Sequence, residues 1–272
     1  MNAFVWRLHE QGEGNRARGR GSSKKGNKLD PKRLSILKGR SMCPHCKHEL
    51  AAKDLVPVLS WLSLKGKCRY CHKPISWQYP LVELITAGLF IVSYLFWPLS
   101  PVSSLQSSVN FIVWLVILVG FMALIVYDFK WMLLPNRIIY PLIAISIALV
   151  SFNVIFTGNL SLLLQTGLSV LIAGGIFYAI FAVSDGKWIG GGDVKLGFLI
   201  GLLLMDPYQS FLVLFLSSII GTIVVVPGML LKKVTVRSRI PFGPFLIIAA
   251  IIVRLFGASI VTWYKSVLLL QA

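Results

Sequence analysis

Two aspartates, Asp128 and Asp193, and four cysteines set as two C-x-x-C pairs, Cys43/Cys46 and Cys68/Cys71, are the residues of this chain best suited to chemistry. Two carboxyl groups brought to one point can share a proton, because like charges about 3 Å apart cannot both ionise. The ionised member then takes a proton from water, while the protonated member polarises a carbonyl and helps an amine leave; that is the equipment of aspartic proteolysis. A serine route is disfavoured, since all four histidines (His9, His45, His48 and His72) fall in the polar N-terminal part. The doubled C-x-x-C, with a spacer close to that of a zinc ribbon, points to a structural zinc held by four thiolates with no open position. His45, His48 and His72 lie near these pairs and read as solvated.

The elements that must position these residues follow from composition. Of 272 residues, 56% are hydrophobic and only 14% charged, a mix that few soluble domains of this length could hide in one core. The net charge of +17 is concentrated before Lys73, which divides the chain into a basic polar head and an apolar body. Cysteines confined to metal-type pairs argue for a reducing compartment. Residues 10–28 are Gly, Arg, Lys, Ser and Asn with almost nothing apolar, and read as a disordered basic loop near anionic headgroups. Nucleic acid is not expected as a partner, because the aromatic residues needed for stacking are missing there.

After Tyr79 come long apolar runs, each close to the roughly 20 residues that cross a hydrocarbon core about 30 Å thick. They cover 80–97, 108–127, 136–156, 162–183, 194–205, 208–231 and 242–264, the fifth being short. The fold class expected is therefore an all-α polytopic membrane protein, with about seven transmembrane helices and a small cytoplasmic zinc-ribbon-like N-terminal domain. The domain division expected is 1–79 for the cysteine-bearing head and 80–272 for the transmembrane body. Lys130 and Arg137, Lys187 and Lys195, then Lys232, Lys233, Arg237 and Arg239 sit in alternate connections, on the same side as the head. The opposite connections, 98–107, 157–161 and 206–207, carry no Lys or Arg, so the basic side is cytoplasmic.

Acidic residues in the body need a reason, since a carboxylate at such depth is costly unless paired or used. They are Glu83, Asp128, Asp185, Asp193 and Asp206. Asp128 closes the second span and Asp193 opens the fifth, which puts both on the cytoplasmic side at similar depth. Gly190, Gly191 and Gly192 allow a strained turn and close approach of another backbone. They are equally compatible with a plain hinge in which Asp193 is a first-turn acid. Glu83 reads as a helix N-terminal acid, and Asp206 lies on the far side. Lys195 either assists the carboxylates or snorkels to the interface. Arg254, inside the last span, has no partner visible in the sequence.

The run Gly190-Gly191-Gly192-Asp193-Val194-Lys195-Leu196 resembles the GxGD signature of membrane aspartic proteases, in the form used by prepilin leader peptidases. Asp128 followed by Leu134-Pro135-Asn136 is similar to that family's first catalytic segment, and Ile240-Pro241-Phe242-Gly243-Pro244-Phe245 to its late run. Gly39-Arg40-Ser41 before the paired cysteines resembles its cytoplasmic N-terminal domain. The resemblance implies a bacterial inner-membrane, multi-pass endopeptidase that cuts the basic leader from type IV prepilins or pseudopilins at the cytoplasmic face. It identifies Asp128 and Asp193 with the catalytic pair. It also implies that members with the cysteine domain often methylate the new N-terminal amine using S-adenosylmethionine. Residues 1–8 look like the tail of a further apolar span, and the basic loop like an insertion before the cysteine domain. Two other readings compete: a carrier using intramembrane carboxylates for ions or protons, which expects them near the bilayer midplane, and a non-catalytic pilus assembly factor.

Overall fold

The computed structural model describes residues 41–43, 45–98, 104–231 and 240–270. The basic loop 10–28, the start at 1–8, Gly39, Arg40, Pro44 and the basic residues Lys232, Lys233, Arg237 and Arg239 lie outside the described residues. After a short 3-10 turn at Ala52–Asp54, the helices are α1 (Leu59–Ser63), α2 (Gln78–Leu95), α3 (Leu105–Trp131) and α4 (Asn136–Thr157). Next come α5 (Ser161–Val170), a π-helical turn (Leu171–Gly175) and α6 (Ile176–Val183), which together form one rod. The chain ends with α7 (Gly191–Leu204), α8 (Pro207–Leu230) and α9 (Gly243–Leu270). Two compact units are present, Met1–Leu89 and Phe90–Ala272.

In the first unit the two cysteine pairs are folded alike. The Lys47 amide donates to the Cys43 carbonyl at 2.9 Å and the His72 amide to the Cys68 carbonyl at 2.9 Å. Each donor is the residue after the second cysteine, and each has a left-handed backbone, with φ of 57° and 55°. One-residue antiparallel bridges, Met42 to Glu49 and Lys67 to Pro74, close the two loops. Between them Asp54 accepts from Arg69 Nε at 2.7 Å and from the Tyr70 hydroxyl at 3.2 Å. Burial alone would raise the Asp54 carboxyl, but these bonds and the Arg69 charge outweigh it and hold the group below its ordinary value. Glu83 lies within α2, whose first turn carries no acid, and it accepts from the Val58 amide at 2.9 Å. The expectation of a helix N-terminal acid is thus corrected: α2 begins earlier than the apolar run, and Glu83 instead caps the entry to α1.

Among the described residues, six helices are long and apolar enough to cross a membrane: α2, α3, α4, the α5–α6 rod, α8 and α9. The seventh expected span is α7, whose 14 residues rise only about 21 Å. In the second unit α7 is the packed centre. It lies against α4, α5, the π turn, α6, α8 and α9, and Leu196, Leu199, Ile200 and Leu203 are fully buried. A central helix surrounded by others needs small residues where backbones approach. A Cβ built on Gly201 would sit 2.6 Å from Val170 Cα and 2.9 Å from the Ser169 carbonyl, and one on Gly197 would strike the Ala173 carbonyl of the π turn. Ser169 Oγ donates to the Gly201 carbonyl at 2.8 Å, tying the two helices at that crossing.

That crossing can be tested. Gly201→Ala is expected to cost about 1–3 kcal/mol by overpacking, seen as a lower midpoint of thermal unfolding in detergent. Gly167→Ala, where a Cβ meets nothing within 4 Å, is expected to leave the midpoint unchanged or raise it.

Candidate active site

Asp128 sits in the last turn of α3. The helix stops because Met132 turns left-handed, at φ 49°, and returns its amide to the Asp128 carbonyl at 2.8 Å. Pro135, extended at φ −72° and ψ 126°, then starts α4 one residue later. This tight connection drives Leu134 inward. A Cβ built on Gly192 would lie 3.0 Å from Leu134 Cβ, and one on Gly243 would lie 3.5 Å from Leu134 Cδ1. Leu134 is therefore a wedge between the first turns of α7 and α9.

The first turn of α9 begins with glycine for a steric reason. A Cβ on Gly243 would come within 2.6 Å of Asp128 Oδ2, so the start of α9 closes on that carboxyl as it stands only without one. Gly190 is the extended N-cap of α7, and Asp193 is its third helical residue. The Asp193 carboxylate folds back to the N-cap, with Oδ2 3.4 Å from a Cβ built on Gly190, the reach of an acid in a capping box. The two aspartates, far apart in sequence, lie within electrostatic reach of each other.

The site is thus built from the C-terminus of α3 and the N-termini of α7 and α9. The dipoles of two N-termini favour negative charge there, while Asp128 is 5% exposed and cut off from bulk water. Asp193, half-buried, fills its first-turn role and lies within electrostatic reach of Asp128 in the same geometry.

Among the other residues singled out by sequence, Lys195 donates to Asn136 Oδ1 at 2.7 Å and lies over the Tyr140 ring at 5.3 Å, tying the start of α7 to the start of α4. Asp206 is the N-cap of α8, accepting from the Tyr208 and Gln209 amides at 2.7 and 3.1 Å. Asp185 lies in the turn before α7 with φ 48°. The steric part played by Leu134 and Gly243 was not read from sequence, although both stand in the Leu-Pro-Asn and Pro-Phe-Gly-Pro runs that would have flagged them.

In the first unit the Sγ atoms of Cys43, Cys46, Cys68 and Cys71 lie within 4.8 Å of one another, and Cys43 and Cys71 are 3.9 Å apart. Four thiolates around a zinc at about 2.3 Å stand about 3.8 Å from each other, so the cluster can hold a metal. Burial pushes the Cys43 thiol up to about 12. At Cys68 burial acts the same way, but the Cys71 and Tyr70 amides outweigh it and bring the thiol down to about 7. Thiolates packed this closely need a cation to coexist.

Six candidate spans and two carboxyl groups within electrostatic reach of each other at one end of the bundle are what a membrane aspartic peptidase requires. Comparison with known proteins narrows that. Residues 1–97 match the bacterial peptidase A24 N-terminal domain, and residues 114–226 match the type IV leader peptidase family. A prepilin leader peptidase/N-methyltransferase of Aeromonas salmonicida is 34% identical over 245 residues, covering 88% of this chain and 79% of the relative. The proteins of the same name from Bacillus subtilis and Vibrio cholerae are 34% and 36% identical, covering 86% and 80% of this chain and 88% and 81% of theirs. No solved structure matches. The chain belongs to the type IV leader peptidase family.

The cysteine cluster gives a direct test: the purified protein is expected to carry one tightly bound divalent metal per chain by elemental analysis. Cys68→Ala is expected to lose most of it, and metal content unchanged by that substitution would remove the cluster as the site.

Proposed function

We propose that this protein removes the basic leader from type IV prepilins or pseudopilins by aspartic proteolysis, with Asp128 and Asp193 as the catalytic pair. What supports this reading is that Asp128, at the end of α3, and Asp193, at the start of α7, lie within electrostatic reach of each other, with the start of α9 against Asp128. In the proposed step the ionised carboxylate takes a proton from a water molecule, and the resulting hydroxide adds to the scissile carbonyl carbon. The protonated carboxyl gives its proton to the carbonyl oxygen. Collapse of the tetrahedral intermediate breaks the C–N bond: the carboxyl that took the proton from water passes it to the leaving nitrogen, and the other carboxylate takes back a proton from a hydroxyl of the intermediate, which releases the new carboxylic acid and restores the pair. Gly190 leaves room for the substrate backbone, Gly192 admits the Leu134 wedge, and Lys195, fixed on Asn136 and Tyr140, holds the start of α7 in register. The prepilin substrate class is taken from the names of the relatives.

The basic connections at the aspartate end support a cytoplasmic placement of the dyad and of the cysteine-bearing head, in the inner membrane of a bacterium. Division into 1–79 as a metal-binding domain and 80–272 as the peptidase domain belongs to the same proposal. Zinc suits four thiolates better than a harder cation, and with no ligand position left over its part would be to stabilise the head. Methyl transfer from S-adenosylmethionine to the new amine, the second activity in the relatives' names, extends the proposal without a residue assigned to it. A carrier reading is disfavoured, because Asp128 and Asp193 occupy the last turn of α3 and the first of α7 rather than midpoints of spans.

Asp128→Asn and Asp193→Asn are each expected to lower cleavage of a purified prepilin in detergent by about 1,000-fold or more, with unchanged thermal midpoints. Asp206→Asn, which keeps its capping ability, is expected to cleave at the normal rate. Full activity in either of the first two variants would end the assignment.

A further inference from the structure

The end of the second unit away from the aspartates holds a cavity of about 340 Å³, lined by Trp97, Gln106, Asn110, Asn153 and Arg254 among others. That is the scale of a small-ligand site, roughly 300–1,000 Å³. Gln106 and Asn110 lie in the first turns of α3, whereas Asp128 is in its last; Asn153 is near the end of α4, whereas Asn136 starts it. Met205, which ends α7 with a left-handed backbone at φ 56°, is part of the lining.

Arg254 projects into this recess from the middle of α9. Its Nε is buried with no hydrogen-bond partner among the described residues, and its guanidinium lies over the Trp97 ring at 4.8 Å. The side-chain oxygens of the neighbouring asparagines are committed elsewhere. Asn153 Oδ1 takes Gln106 Nε2 at 2.8 Å and Asn110 Nδ2 at 3.0 Å, and Asn110 Oδ1 takes Asn153 Nδ2 at 3.0 Å. Asp206, next to the lining residue Met205, spends its carboxylate on the Tyr208 and Gln209 amides. Among the described residues the ion pair found joins Arg69 to Asp54 in the first unit, and none involves Arg254. A guanidinium within the bundle, without a countercharge, is costly. The open space beside it is large enough to admit one.

We propose that this cavity binds a phosphate-class anion on the Arg254 guanidinium, carried either by a phospholipid headgroup or as free phosphate. A planar fork of N–H donors matches two phosphate oxygens at once. Trp97 fixes the plane of the fork on one side and is itself a residue type of the membrane interface. The site lies at the opposite end of the bundle from the proposed dyad, and on the orientation proposed above it opens to the outer leaflet.

The test uses the full chain purified in an uncharged detergent and titrated by calorimetry with three ligands. These are inorganic phosphate, a short-chain phosphatidylglycerol and a diacylglycerol of the same chain length. Saturable one-to-one binding is expected for phosphate, for the phospholipid or for both, which separates the two sources; the diacylglycerol is expected to show none. Arg254→Met is expected to weaken that binding by roughly tenfold or more, and Arg254→Lys, with charge but no fork, to fall between. Should Arg254→Met fail to fold, the wild-type titrations and Arg254→Lys still decide. The proposal is overturned if neither phosphate nor phospholipid binds the wild type, if diacylglycerol binds equally well, or if the Arg254 variants bind as tightly as the wild type. Cleavage is not read in this experiment, so its failure and the failure of the peptidase reading are distinguishable.

Discussion

A carboxylate at the end of a transmembrane helix is tolerated only where something other than bulk water receives its charge. Here the first turns of two helices do so: the start of α9 at Gly243 lies against Asp128, and Asp193 folds back on the N-cap Gly190. The first contact depends on a missing side chain. At Gly243 a single added carbon would meet the Asp128 carboxylate itself. The rest of the second unit serves this meeting: the tight Met132–Pro135 connection drives Leu134 between the two helix starts, and glycine-lined crossings hold α7 at the centre of the bundle.

That arrangement joins mechanism to architecture. An α7 too short to span the membrane can start at the depth of Asp128 and still turn back into α8 at Met205, where Asp206 caps the next helix. At the other end Met205 lines the recess around Arg254.

Much of this was legible in the sequence, for identifiable reasons. Apolar runs near 20 residues located the spans because length against bilayer thickness is a strong constraint. The doubled C-x-x-C announced a thiolate cluster because the loop fixes its own geometry, and the four sulfur atoms do converge. Glu83 was misread because the apolar run begins after α2 does, and its partner, the Val58 amide, is a backbone group that no residue pattern reveals. The wedge formed by Leu134 and the isolation of Arg254 were hidden for a related cause. Each depends on which helices are neighbours, and span-by-span hydropathy carries no such information.

The central claim is that the ends of α3 and α7 hold their carboxyl groups together in the membrane-embedded protein. Replacing Asp128→Cys and Asp193→Cys, singly and together, and treating membranes with a short bifunctional thiol reagent measures that approach directly. The account predicts that mass spectrometry of the digested double variant finds the two positions linked to each other in high yield. Efficient single labelling at both positions, with no link between them at any reagent length short enough to report contact, would contradict it.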